Sequence, residues 1–174
     1  PMSRGNMIII GADPGLKGAI AYLNTADKSL SIFDMPTFKV PRGNKTKGIV
    51  NVQELNVILS AHKSLDIWMK QGFIERVGAM PGQGVTSMFS FGYSAGVLEM
   101  GFAANLIPYH FVEPRAWKKF LKLPGKAAGG DDAARAMASR LFPKEASQFA
   151  RPCYSGRADA ALIAYYGMMC QKDV

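Results

Sequence analysis

The run Met7-Ile8-Ile9-Ile10-Gly11-Ala12 is apolar at every position and closes on a carboxylate, Asp13. A strand with one wet face alternates in polarity. An unbroken run with three successive isoleucines instead reads as a strand covered on both faces, at the centre of a mixed or parallel sheet. That confines the chain to architectures with helices on the sheet faces. Pro14-Gly15 makes a turn, and Gly18 to Leu23 reads as a second strand returning beside the first as a hairpin. Asp13 thus lies at the edge of a central strand, either as a turn aspartate bonding its own backbone or as part of a site.

The pattern along the rest of the chain fills in the class. Ser29 to Met35 reads as a third strand, and "PTFKVPRGNKTKG", polar, basic and rich in turn residues, as a mobile loop. Asn51 is placed to cap a helix reaching about His62, with Val52, Leu55, Ile58 and Leu59 on its buried side. A short apolar strand around Phe73 and Ile74 then ends on Glu75, repeating the opening pattern of an acid at a strand edge. The spacing predicts a helix over Val85 to Phe102 with Val85, Met88, Phe89, Gly92, Gly96 and Glu99 along one stripe, whose small residues permit close approach of another element. "LIPYHFVE" reads as a further strand, and "PRAWKKFLKL" as a short basic helix opening on proline. "DDAARAMASRLF" and Arg157 to about Cys170 read as helices. Three strands in a meander followed by alternating helices and strands specify an α/β fold with a mixed sheet. The length of 174 residues, 48% hydrophobic, suits one domain over 7–174 behind a six-residue tail or appended remnant.

Lysine and arginine number 21 against 13 acids, a formal charge of +8 that favours a polyanionic partner. Cys153 and Cys170 match no zinc-ligand spacing and read as free thiols of a reducing compartment. No apolar run reaches the length of a membrane span and the N-terminus lacks a signal-peptide pattern, so a soluble, intracellular protein is expected.

On the last helix Asp159 shares a face with Leu162, Ile163 and Tyr166. Burying a carboxylate without a partner costs roughly several kcal/mol, so it needs a cation, hydrogen bonds or a metal. Arg157 or Arg76 could supply an ion pair. The alternative is convergence with Asp13 and Glu75 at one side of the sheet, where mutual repulsion is relieved by divalent cations, and hard oxygen ligands select Mg2+ or Mn2+. Two such ions activate water and stabilise the leaving oxygen in phosphodiester cleavage.

Asp13 in "GADPGLKGAIA", Glu75 in "FIERV" and Asp159 in "GRADAALIAYYG" resemble the acidic motifs of the RuvC-like Holliday junction resolvases, nearest the phage and organellar branches. The segments "MPGQGVTSMFSFGYSAGVLEMGF", "VEPRAWKKFLKL" and "DDAARAMASRLFP" share the resemblance, which covers nearly the whole chain. It implies an RNase H-like fold, a homodimer, and Mg2+-dependent paired nicking of four-way DNA junctions, with Mn2+ able to substitute. Asp13, Glu75 and Asp159 would be the metal-binding acids. The chain departs from the family at "RPCYSGRAD", where Cys153, Tyr154, Ser155 and Gly156 supply no acid or histidine ahead of Asp159. Ser155 could contribute a hydroxyl to the metal shell, or Asp131 or Asp132 could substitute, although both are explained as charges at a helix N-terminus.

Lys118, Lys119, Lys122 and Lys126 cluster before the alanine-rich helix. The resemblance points to lysines here, Lys118 and Lys119 near the chemistry, Lys122 and Lys126 on DNA. A solvated basic helix face is the plain alternative. Trp117 reads as core. Arg42, Lys45 and Lys47 suit phosphate contacts, and Met80 in "GAMPGQG" suits an apolar wedge between base pairs or a surface-packed loop residue. Two rival functions remain. A nucleotide-binding ATPase or kinase-like protein would use Gly15 and Gly18 near phosphate, but "GADPGLKG" is no Walker A match and the chain is short for a second lobe. A non-catalytic junction-binding protein is the stronger rival, because the missing acid is its natural signature.

Overall fold

The computed structural model describes residues 7–61, 69–78, 82 and 84–171. Five strands form the main sheet: β1 (Ile8–Ala12), β2 (Ala19–Asn24), β3 (Leu30–Asp34), β6 (Lys70–Glu75) and β7 (Tyr109–Val112), in the order β3-β2-β1-β6-β7. The run that opened the sequence is the middle strand and is buried along its whole length. It pairs antiparallel with β2, which returns as the expected hairpin, and parallel with β6, which in turn runs parallel to β7. The sheet is mixed, as the meander followed by alternating elements requires.

Side chains on β1 divide between two cores. Ile8, Ile10 and Ala12 point to one face, where Leu55 and Leu59 of α1 (Val52–Ser60) and Leu98 and Phe102 of α2 (Val85–Ala104) cover them. Ile9 points to the other, against α4 (Gly130–Leu141), α5 (Ser155–Cys170) and Trp117 of α3 (Pro114–Phe120). α5 is buried nearly all round, and its alanines bring it directly onto β1: a Cβ built on Gly11 would lie 2.2 Å from the Ala160 carbonyl oxygen. Only glycine lets a fully buried helix and the central strand meet this closely.

Two local expectations are corrected. The segment read as a mobile loop is a two-stranded hairpin, β4 (Thr37–Arg42) and β5 (Lys45–Val50), joined by Gly43-Asn44 with Gly43 at φ 58°. A two-residue connection with glycine at its first position is a tight hairpin turn, and the alternation Phe38, Val40 against Lys47, Ile49 is the strand signal that composition obscured. Val52, expected on the buried side of α1, is about half exposed. It occupies the first position of the helix, after Asn51, whose side chain accepts from the Glu54 amide and donates to the Glu54 carboxylate as a cap.

Candidate metal-binding acid cluster

Register brings the first two acids together. Ala12 pairs with Ile74 in the parallel ladder, so Asp13 and Glu75 follow side by side at the carboxyl ends of adjacent strands. The two-residue period of a strand gives Asp13 the parity of Ile9 and Glu75 that of Phe73, so both belong to the face covered by α5. Asp159 lies in the second turn of α5. What seats that helix is Gly156, where a Cβ would stand 2.1 Å from the Lys17 carbonyl oxygen. The same close approach gives a steric reason why the absent acid cannot stand at position 156, which has no room for any side chain.

Asp13 is both a turn aspartate and a buried carboxylate. Its Oδ1 accepts from the Gly15 amide at 3.1 Å, the turn bond expected of it, while burial pushes its pKa up to about 6, with a further rise from Glu75 and offsets from the Gly15 bond and Lys118. Burial likewise lifts Asp159 to about 7, and Asp13, Glu75 and Asp131 add to the rise while Lys118 opposes it. Glu75 is also raised by burial, against the lowering effects of a hydrogen bond from Trp117 and the charge of Lys118. Each acid is therefore close enough to feel another's charge, and one lysine is the cation common to all three. Neither arginine considered for Asp159 serves it. Arg157 makes a two-pronged pair with Asp34 at 2.6 and 2.7 Å, and Arg76 pairs with Glu113 at 2.7 Å.

Lys118, Asp131 and Asp159 line one narrow cleft of 20 Å³ together with Leu123, Pro124, Gly130 and Ala134. Asp131 is the acid that the sequence explains as a helix-terminal charge. Its neighbour Asp132 turns instead to Arg135. Lys119 and Lys122 line an adjacent recess of 540 Å³ with Arg115, Lys118 and Gly125, a mostly basic surface open to solvent. Lys126 lies in a 3-10 turn, Lys126–Ala128, just before α4. Ser155 is the first residue of α5 and is half-buried. Arg42, Lys45 and Lys47 share one face of the β4–β5 hairpin, Arg42 directly opposite Lys45. Met80 lies outside the described residues.

Sequence reasoning misses one feature. Trp117, read as core, is fully buried, and its Nε1–H also donates to Glu75 Oε1 at 2.9 Å. A buried indole N–H needs an acceptor, which is the available signal, but its partner is 42 residues away. Asp131, which the sequence offers beside Asp132 as a substitute for the absent acid, lines the cleft with Asp159.

The donor set fits a hard divalent cation. Three carboxylates share a face, all hold their protons more tightly than usual, and one lysine only partly offsets their charge. Among the described residues no group of three acid, histidine or cysteine side chains is gathered closely enough to hold an ion by itself.

No model of a known protein family matches the chain. Over 102 residues it is 37% identical to the chloroplastic Holliday junction resolvase MOC1 of Chlamydomonas reinhardtii, a match spanning 56% of this chain and 11% of that much longer protein. Thermus thermophilus RuvC superposes on it in two solved structures. The complex with a Holliday junction substrate gives a TM-score of 0.57 at 14% identity, covering 95% of this chain and 96% of the other. A second RuvC structure gives 0.53, also at 14% identity, over 96% and 97%. The chain is thus similar to RuvC-like resolvases, as the resemblance implies, and the fold is the RNase H-like fold of RuvC. No helix among the described residues is long and apolar enough to cross a membrane.

Proposed function

We propose that the chain is a divalent-metal-dependent endonuclease that resolves four-way DNA junctions by paired nicking, acting as a two-fold dimer in a reducing intracellular compartment: a bacterial cytoplasm, an infected host cell or an organelle. The observation that carries this reading is the convergence of Asp13, Glu75 and Asp159 on one face of a RuvC-like sheet with Lys118 beside them. Mg2+, or Mn2+ in its place, supplies charge neutralisation and activation of water when bound by these acids. Lys118 faces the same acids and meets the negative charge of the phosphate at the cut, with Lys119 next to it on α3. Lys122 and Lys126, with Arg42, Lys45 and Lys47 of the hairpin, contact backbone phosphates, and Met80 is the apolar wedge.

The outer face of α2 supports the dimer. Val85, Phe89, Tyr93 and Met100 lie within one stripe opposite Ser94, Leu98 and Phe102, and the first two are 78% and 73% exposed. Gly92 and Gly96 fall in the same stripe, and a Cβ at either would meet nothing within 4 Å. Each glycine costs a helix about 1 kcal/mol relative to alanine, and nothing packed against it inside the described chain offsets that. Close approach of a second α2 would.

A second reading, a junction-binding protein that does not cut, is favoured by the absence of a carboxylate over Cys153 to Gly156. Asp131, at the cleft that holds Asp159, is the group able to replace that acid. One metal titration of junction nicking separates the readings. The native chain should nick synthetic four-way junctions symmetrically with Mg2+ or Mn2+, with a high metal requirement and a preference for Mn2+. Asp13→Asn, Glu75→Gln and Asp159→Asn should each nearly abolish nicking while leaving binding, and Asp131→Asn should raise the metal concentration needed for half-maximal nicking. If cutting requires an added acid such as Ser155→Asp, the native protein binds junctions without resolving them.

A further inference from the structure

Trp117 has no exposed surface, yet two of its neighbours are charged groups. Its Nε1–H donates to Glu75 Oε1 at 2.9 Å, and the Lys118 ammonium stands 5.0 Å from the centre of its ring. Adjacent residues on a helix diverge by about 100°. Only a folded-back lysine reaches the ring of its immediate neighbour. Lys118 folds back in this way while lining the cleft that also holds Asp159. The ring itself is clamped. Pro114 fixes the start of α3, and Trp117 packs within the core that includes Phe149, Ala138 and α5.

A core tryptophan can give its N–H to any nearby carbonyl. This one gives it to an acid of the proposed site. Among the described residues the Glu75 side chain makes no other hydrogen bond, so the indole alone sets the rotation of that carboxylate and leaves Oε2 uncommitted. The π face of the same rigid ring attracts the ammonium of the cation shared by all three acids. We propose that Trp117 is a positioning residue for the site, its edge orienting Glu75 and its face seating Lys118, so that one clamped ring holds a metal-binding carboxylate and the phosphate-facing cation in fixed relation.

This rests on the proposed function. It is tested on the full chain by Mn2+ calorimetry without DNA, by junction nicking resolved into kcat and KM, and by thermal unfolding. Trp117→Phe keeps a ring under Lys118 and removes only the N–H. It should stay folded and weaken Mn2+ binding by about tenfold, the low end for losing a hydrogen bond to a metal ligand. Nicking should fall through kcat with KM for the junction unchanged. In a Glu75→Gln background the same change should leave Mn2+ affinity unaltered, which separates action through Glu75 from a general loss of packing. Trp117→Leu should slow nicking further, and the extra loss should vanish in a Lys118→Met background. Native Mn2+ affinity and native kcat in Trp117→Phe would overturn the inference even if Trp117→Leu fails to fold, and leave the proposed function standing. A native chain that neither binds Mn2+ nor cuts overturns the proposed function and this inference with it.

Discussion

Asp159 sits among the small apolar residues of α5, and its proton is held well above the ordinary carboxylate range chiefly because burial penalises the anion. A carboxyl whose folded pKa lies above its unfolded value of about 3.9 favours the fold at low pH, and that contribution is lost as pH rises from about 4 through about 7. Asp13, lifted to about 6, acts in the same direction over a slightly narrower window. The metal-free native chain therefore carries a strain of its own at pH 8 that Asp159→Asn relieves. The variant should be more stable than the native chain by on the order of 2 kcal/mol at pH 8 in the presence of a chelator, with the difference shrinking towards zero at pH 4. Urea unfolding at the two pH values measures it. An asparagine variant less stable at pH 8 would mean that the anion is already held by partners, and the need for a metal would lose its electrostatic basis.

At the scale of elements, α2 is a helix with two apolar faces. Leu98 and Phe102 close one core beneath the sheet, while Val85, Phe89 and Tyr93 stand in the open on the opposite side. A helix apolar all round is normally buried all round, which is the reason a second copy is proposed to cover the outer stripe. Phe89→Asp places a charge in the proposed two-fold interface without touching the core. It should shift the chain from dimer to monomer in light scattering at micromolar concentration and reduce paired cuts more than single nicks. A native chain that is monomeric with and without junction DNA would rule the interface out.

Across the whole molecule, two basic patches stand out among the described residues: the recess lined by Arg115, Lys118, Lys119 and Lys122, and the β4–β5 hairpin. Residues 37–50 contain four cations and no acid, and Arg42 faces Lys45 across the ladder. Like charges directly opposite one another weaken a two-stranded sheet, and a polyanion lying on that face relieves the repulsion. Junction affinity should therefore fall steeply with salt. The double change Arg42→Ala, Lys45→Ala should lower the slope of log affinity against log salt by about two, roughly 0.9 for each phosphate that is no longer neutralised. An unchanged slope would show that the hairpin stands clear of the DNA.

Period-based features are readable in the chain itself. Three isoleucines in a row specify a strand wet on neither face, the spacing in "DDAARAMASRLF" specifies an amphipathic helix, and an acid at the end of each of two apolar strands marks the edge where a site is built. These follow from local geometry, because side-chain direction repeats every two residues on a strand and every 3.6 on a helix. The β4–β5 hairpin reads as a loop because its strands are largely exposed and lysine-rich, so the ladder rather than burial identifies it. Tertiary structure alone decides what lies next to what. It joins Trp117 to Glu75, aims Asp131 at Asp159, turns Arg157 away to Asp34, and packs Gly156 so tightly on the Lys17 carbonyl that no acid fits there. Such neighbours depend on how whole elements dock, and docking is set by the summed packing of many side chains on both partners, which no single segment encodes.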